Sequence, residues 1–381
     1  MAALSAAVGN GICAQEIIIP ERWQKSLMYV KPIFTEDTLT IRILGDVMMH
    51  TNQISNARKS GPEYDFSSYF SLIEDDLKEA DLAIANMEFT LGGEPYSGYP
   101  CFSAPDPFAD YLCDCGFDIF LAANNHIFDK GAKGAQRTIA IYRELEKKRG
   151  IRFTGIADNE EEQERNNPLM VSSSGIRLAI LNLTYGTNVG LKSHWPKTNR
   201  LSARQQVAEA LSKAEEKDAD VTLVLPHWGT EYILEHSASQ ENTARWLAEN
   251  GADIIIGAHP HVIQDFQVIC LNEDYGRKEV PVAYSLGNAV SNMSARNTQL
   301  ELMATVRIIR KGNGDIEVSP LEFSYLWCSR PGGYNDSYIV IPVAGFIGKR
   351  DEWKNVSDYD KMMDTYRNVS ETTGIKDIDI P

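Results

Sequence analysis

Two histidines, His259 and His261, flank a proline directly after a short apolar run. The run, residues 253–256, is rich in isoleucine and bounded by glycines, which is typical of a buried strand. Pro260 fixes its own φ and favours an extended conformation for His259. An isolated pair of this kind fits chance and surface exposure as well as it fits a site. Its chemistry therefore depends on what else the chain places beside it.

Five further polar clusters end apolar strands in the same way. In parallel α/β sheets the carboxyl ends of the strands share one edge, and ligand sites form there. We therefore predict that side chains from separated loops converge at one place. The chemistry-bearing residues of this set are Asp46, Glu88, Asn125, His126, His227, His259 and His261.

These residue types suit a divalent transition metal. Imidazole suits Zn, Fe and Mn, whereas carboxylate and amide oxygens favour harder ions. A carboxylate can bridge two metals, and a metal pair can activate water and hold a phosphoryl group for in-line displacement. His126, next to Asn125, would then act as a general acid, because histidine transfers protons near neutral pH.

Taken singly, each residue also fits a structural role. Asp46 and Asn125 each fit a turn. Glu88 fits a solvated loop carboxylate, and His227 beside Trp228 fits a core histidine. The convergence of the whole set favours a site. Three other histidines are expected to have no part in it: His50, His194 and His236.

The elements that position these residues alternate between strand and helix, which predicts an α/β fold with mainly parallel strands. The pattern predicts a first strand over 39–44 and an amphipathic helix over 67–79. It predicts a solvated acidic loop over 158–167 and a helix over 202–217 capped by Ser202. One domain with a C-terminal extension is the simplest division.

Composition limits the partners. The chain has 381 residues, 43% of them hydrophobic and 24% charged, with a net charge of −16 and a pI of about 4.9. This acidity argues against nucleic acid or an anionic membrane as a bulk partner. An anionic substrate would need a local positive centre, such as a metal. No apolar run approaches the ~20 residues of a spanning helix.

The N-terminus is interpreted as a truncated signal peptide over residues 1–14. A small-residue cleavage pattern precedes Gln15, but the basic n-region is missing, and a frayed tail is the alternative. Export would place the protein in the periplasm or cell envelope, and the cytoplasm is the other location considered. Cys101 would pair with Cys113 or Cys115 in an exported protein, while buried free thiols fit equally well.

Six motifs together resemble the CapA family of capsule or poly-γ-glutamate biosynthesis proteins. They occur in order between about residues 39 and 290. They are Gly45 to Met49, Asn86 to Glu88, Asn124 to His126, His227 to Tyr232, Gly257 to His261 and Ser285 to Asn288. The resemblance implies a four-layer α/β/β/α metallophosphatase-like sandwich. It divides the chain into an N-terminal arm (15–38), the domain (39–330) and a C-terminal extension (331–381).

The resemblance also implies roles for single residues. Glu88 takes the bridging place in a metal site, and His126 the place of the catalytic histidine of the phosphatases. Glu231 and Asn288 would lie at the rim of the site or behind the ligands. The implied metal ligands are Asp46, Glu88, Asn125, His227, His259 and His261.

The chain departs from the phosphatase pattern in two motifs. Met48 holds the place of a histidine, and Glu88 that of an aspartate, so one metal position is short of a ligand. The expected cofactor is one or two divalent ions of Mn, Fe or Zn.

Three functions are compatible with these features. The first is a capsule or poly-γ-glutamate assembly protein that acts at the envelope on a polymer or its phosphorylated precursor. The second is a stand-alone metal-dependent phosphoesterase, and the third a non-catalytic polymer-binding scaffold, so whether the chain is an enzyme stays open. No phosphate-binding loop for ATP occurs in the sequence, so a partner subunit would have to activate glutamate.

Overall fold

The computed structural model describes residues 36–380 except 62, 193, 274 and 275, together with two short strands near the N-terminus. Most of the interpreted signal segment and of the N-terminal arm lies outside the described residues. Strands β1 to β18 are, in chain order, Ala3–Leu4, Ile17–Ile18, Asp37–Val47, Leu82–Met87, Ile119–Leu121, Arg152–Thr154, Ile156–Ala157, Leu169–Ser173, Ile176–Thr184, Lys197–Thr198, Val221–His227, Ile254–Ile256, Phe266–Glu273, Gly276–Ala283, Leu300–Arg310, Ile316–Val318, Glu322–Ser329 and Ile339–Pro342.

The helices lie between and after these strands. Helices α1 to α9 are Thr51–Ala57, Glu74–Glu79, Asp106–Asp114, Gly131–Arg149, Glu160–Asn166, Arg204–Glu216, Ala238–Glu249, Val343–Phe346 and Val356–Thr373, and a 3-10 turn spans Arg350–Glu352.

Two large sheets form the centre of the molecule. The first has the order β18-β17-β15-β3-β4-β5-β6, with β16 paired to β15, and its strands β3 to β6 run parallel. The second has the order β13-β14-β12-β11-β9-β8, with β9, β11, β12 and β14 parallel. The carboxyl ends of both parallel sets are therefore available to one site.

Three buried clusters show how the layers pack. Ile43 and Ile84 of the first sheet join Ile180 and Leu223 of the second in one apolar core. A second core lies between the first sheet and α3 and α4, and a third between the second sheet and α6 and α7. Because each sheet buries both faces, the molecule has four layers. The predicted α/β/β/α sandwich is confirmed.

Three local predictions are wrong. In the region 67–79 only Glu74–Glu79 is helical, and the residues before it form turns. The acidic segment 158–167 contains a helix, since the Asn159 side chain accepts a hydrogen bond from the Glu162 backbone N–H. Its acidic first turn also stabilises the positive end of the helix dipole. Helix α6 begins after Ala203, so Ser202 is not its cap.

The remaining predictions concern thiols, the C-terminus and membranes. The five described cysteines are free thiols, which excludes a pairing of Cys101 with Cys113 or Cys115 in this structure. Strand β18 forms an edge of the first sheet, and the division of the chain at residue 330 stays a prediction. Among the described residues, no helix combines the length and apolarity that crossing a bilayer requires.

Candidate metal centre

The predicted site residues lie at strand ends along one edge of the two sheets. Asp46 is the penultimate residue of β3, Glu88 follows β4, and His227 is the last residue of β11. All but one of the nine predicted residues are buried, and Glu231 is exposed. The polar side chains are therefore held by the sheets and withdrawn from bulk water.

A bulge in β3 directs Asp46 into the site. The pairing of β3 with β4 shifts between Leu44 and Asp46, at Gly45. Gly45 donates its N–H to Glu301 Oε1 at 3.0 Å. A Cβ at this glycine would lie 2.0 Å from the Gly287 carbonyl oxygen, so the close approach requires glycine.

The Asp46 carboxylate is oriented by two donors. Asn86 Nδ2 donates to Oδ1 at 2.6 Å, and the backbone N–H of His259 donates to Oδ2 at 3.0 Å. His261 Nδ1 lies 3.5 Å from Oδ2. Both carboxylate oxygens of Asp46 are thus held in place, and each still has a lone pair that can accept a further ligand or hydrogen bond.

Glu88 is the centre of the cluster. Its side chain is fully buried, and neither carboxylate oxygen has a hydrogen-bond partner. Oε1 lies 3.7 Å from His227 Nε2 and 3.9 Å from His126 Nε2, and Oε2 lies 3.8 Å from His261 Nδ1. Two ligands that are each about 2.0–2.2 Å from one ion lie about 3–4 Å apart. The spacing therefore fits a carboxylate that receives metal ions rather than hydrogen bonds.

The histidines and Asn125 complete the arrangement. His227 Nε2 lies 2.8 Å from Asn125 Oδ1, and Nδ1 lies 3.2 Å from Asn86 Nδ2. His259 Nδ1 is buried without a partner. His261 Nδ1 lies 2.9 Å from Asn288 Oδ1. Three groups bring their ligand atoms within 4.8 Å of one another: Glu88, His227 and His259; Asp46, Glu88 and His261; and Glu231, His259 and His261.

The electrostatics agree with this geometry. Burial, together with the charge of His259, holds the pKa of His227 well below its ordinary value. Burial and the charge of His261 lower the pKa of His259 to about 3. Burial, then the charge of Asp46, raises the pKa of Glu88 well above the ordinary carboxyl value. Neutral imidazoles are ready to bind metal, and a buried carboxylate requires a nearby cation to stay ionised.

Asp46 and His261 form an ion pair within the cluster. Burial alone would raise the pKa of Asp46, but the hydrogen bond from His261 and the charge of His227 outweigh it and lower that pKa to about 2. For His261, burial is outweighed by the hydrogen bond to Asp46 and its charge, which raise the pKa. Displacement of this proton is therefore part of metal binding.

His126 lies against Glu88 and is oriented by a residue that the sequence reasoning missed. Its Nδ1 lies 2.7 Å from Asp129 Oδ2, which also accepts the Phe102 backbone N–H at 2.7 Å. The Phe102 ring packs edge-on against the imidazole, with centroids 4.7 Å apart. The position of Asp129 three residues after His126 is the sequence signal that would have indicated this pair.

Four more residues contact the site without having been predicted. Asn86 and Asn124 lie inside two of the quoted motifs, so their motif positions were an available signal. Asn188 Nδ2 lies 3.4 Å from both ring nitrogens of His126. The Tyr185 ring lies 4.6 Å from that of His259, between centroids. No local pattern marks these last two positions.

The cluster and the fold together define a four-layer α/β/β/α protein with a candidate divalent-metal site. The chain belongs to the family described as bacterial capsule synthesis protein PGA_cap, whose family model matches residues 40–293. The family resemblance in the sequence is thereby confirmed.

Two relatives and one solved structure are similar to this chain. Capsule biosynthesis protein CapA of Bacillus anthracis is 29% identical over 319 residues, covering 80% of this chain and 73% of the relative. PGA biosynthesis protein CapA of Bacillus subtilis (strain 168) is 24% identical over 298 residues, covering 76% and 73%. The calcineurin-like phosphoesterase YfkN of Bacillus subtilis matches with a TM-score of 0.43 and 14% identity, over 89% of this chain and 100% of that chain.

Proposed function

We propose that this protein is a metal-dependent hydrolase of capsule or poly-γ-glutamate biosynthesis, acting at the cell envelope on a phosphorylated precursor or polymer. The single observation that carries the proposal is Glu88, a fully buried carboxylate with two unpartnered oxygens among histidine nitrogens 3.7–3.9 Å away. A buried polar group without a partner costs about 1–3 kcal/mol. Such a cost is tolerated where a bound cation offsets it.

The residues present fit a divalent metal pair. Glu88, Asn125, His227 and His259 would hold one ion, with Glu88 shared. Asp46 and His261 would join Glu88 at the other. When bound, the metal supplies an activated water and charge neutralisation at a phosphoryl group.

The residues around the ions would supply binding and proton transfer. Asp129 holds His126 Nδ1, so Nε2 faces the metal ligands, where it would protonate a leaving oxygen. Three exposed tyrosines surround the cluster: Tyr99, Tyr185 and Tyr232 are 72%, 46% and 44% exposed. Their rings offer flat, partly polar surfaces on which a substrate can pack.

Because the net charge is −16, an anionic substrate would need a local positive centre, which bound metal ions would provide. The protein surface repels polyanions at a distance, and the local positive charge of the ions opposes that repulsion. An envelope location and polymer-synthesis partners are part of the proposal, and the match to a capsule synthesis family supports them. Cell fractionation with an antibody to the protein tests the location.

A non-catalytic, polymer-binding scaffold is the second candidate. The observation that favours it is Met48. Its side chain is 2% exposed and packs in the core between the first sheet and helices α3 and α4, so this position provides no metal ligand. A site with one weak metal position would still bind an anionic polymer.

Phosphoesterase activity separates the two candidates. The chelated protein is reloaded with Mn²⁺ or Zn²⁺ and assayed with p-nitrophenyl phosphate, bis-p-nitrophenyl phosphate and a panel of sugar phosphates. We expect hydrolysis that falls by at least about 100-fold in His126→Gln, with unchanged metal content. His194→Gln, an exposed histidine, is the matched control. Metal binding without hydrolysis of any phosphoester would favour the scaffold instead.

A further inference from the structure

The two halves of the metal centre are unequally supplied with ligands. Glu88, His227 and His259 form one group, and Asn125 Oδ1 lies 2.8 Å from His227 Nε2 as a fourth ligand. The other group has only Asp46, Glu88 and His261. Divalent metals at such sites take four or more ligands. The second position therefore has room for a further ligand, either a side chain or a water.

Met48, the residue that follows β3, does not provide that side chain. Met48 is buried and packs in the apolar cluster on the helix side of the first sheet. Its backbone N–H donates to the Val290 carbonyl at 2.9 Å, which fixes the chain at this point. A thioether within an apolar core is not available to a hard divalent ion.

The loop after β11 brings a carboxylate to the open side of the same cluster. Glu231 places a carboxylate oxygen within 4.8 Å of ring nitrogens of both His259 and His261, one histidine from each group. Its side chain is exposed, so it approaches from solvent and not through the core. His259 Nδ1 is buried and has no hydrogen-bond partner.

The backbone holds this loop against the two histidines. The Tyr232 N–H donates to the Pro260 carbonyl at 2.8 Å. Tyr232, His259 and His261 have φ angles of +69°, +102° and +59°, a region that side-chain-bearing residues rarely adopt. The extended conformation expected of His259 is therefore wrong. Three such residues at one contact indicate that surrounding structure fixes the loop where Glu231 meets the histidines.

We propose that Glu231 is a metal ligand that joins His261 at the position formed by Asp46, Glu88 and His261. The inference rests on the proposed metal-dependent function. A position with three carboxylates and one imidazole favours a harder ion than its neighbour does. The two positions therefore bind metal in separate steps, and Mn²⁺ suits the Glu231 position better than Zn²⁺.

A titration with Mn²⁺ tests this assignment. Chelated wild-type protein, Glu231→Gln and Glu235→Gln are titrated with Mn²⁺, and free Mn²⁺ is followed by electron paramagnetic resonance. Glu235 lies in the same loop, is also exposed and belongs to none of the three ligand groups, so it is a matched control. Circular dichroism and thermal melts in chelator verify that each variant is folded.

We expect two Mn²⁺ steps in wild-type protein and in Glu235→Gln. In Glu231→Gln the weaker step loses at least about 10-fold in affinity while the stronger step is unchanged. Two unaltered steps in Glu231→Gln, or a single step in wild-type protein, would overturn the assignment while leaving a metal-dependent function intact. No Mn²⁺ or Zn²⁺ binding by wild-type protein would instead refute the proposed function itself.

Discussion

Replacement of Glu88 by glutamine should change the stability of the protein in opposite directions without and with metal. In chelator, burial and the charge of Asp46 raise the pKa of Glu88 well above 4.5. The native state therefore keeps this proton to higher pH than the unfolded chain does. Its contribution to stability is present below pH 4.5 and is lost as the pH rises. The loss is at most about 1.4 kcal/mol per pH unit.

Glutamine has no such titration. In chelator, we expect Glu88→Gln to gain stability relative to wild-type protein as the pH rises above 5, by at most about 1.4 kcal/mol per pH unit. With Mn²⁺ at 100 times its dissociation constant, wild-type protein gains about 2.7 kcal/mol for each site. Unfolding entropy is about 2.1 cal/mol/K per residue. For 381 residues, one site therefore raises Tm by about 3 °C.

The assay is thermal unfolding at pH 5, 6 and 7, with chelator or with Mn²⁺, and urea unfolding for the free energies. Wild-type protein should be the less stable of the two in chelator at pH 7 and the more stable in Mn²⁺. Glu235→Gln should follow wild-type protein in both conditions. Two outcomes would refute this prediction. One is a Glu88→Gln protein that is less stable than wild-type protein in chelator at pH 7, and the other is equal stabilisation of both proteins by Mn²⁺.

Three further predictions concern the surroundings of the site. Burial lowers the pKa of His50 to about 4, so the protein loses stability as the pH falls from 6.5 towards 4. His50→Gln should remove about 2–3 kcal/mol of that loss, measured by urea unfolding. An unchanged loss of stability between pH 6.5 and 4 would contradict this. Asp129→Asn should lower kcat at least about 10-fold with little change in KM, because His126 loses its orienting carboxylate. A change in KM with kcat unaltered would contradict this orienting role. Gly45→Ala should cost about 1–3 kcal/mol, since its Cβ meets a backbone oxygen at 2.0 Å, whereas Gly186→Ala, with nothing within 4 Å, should unfold like wild-type protein.

The convergence of the site could be predicted because it depends on a simple rule. Parallel strands that end in polar residues share an edge, and Asp46, Glu88 and His227 each follow an apolar run. The roles of these residues stay predictions. The four-layer architecture came from the family resemblance, since strand and helix alternation alone does not fix the number of sheets.

Other features depend on contacts that a sequence pattern does not show. Asn86 joins Asp46 to His227 only because β4 lies beside β3 in a register shifted at Gly45. Strand β3 ends at Val47, so Met48 does not follow the strand alternation and packs in the core. Helix α5 was missed because its acidic composition resembles a solvated loop. The asparagine cap and the helix dipole outweigh that composition.

The central claim is that Glu88 and the surrounding histidines bind divalent metal. Elemental analysis of the purified protein, beside a His259→Ala/His261→Ala double variant, tests it most directly. We predict near-stoichiometric Mn, Fe or Zn in wild-type protein and its loss in the double variant. Absence of metal from both proteins, even after reconstitution with each ion, would contradict the claim.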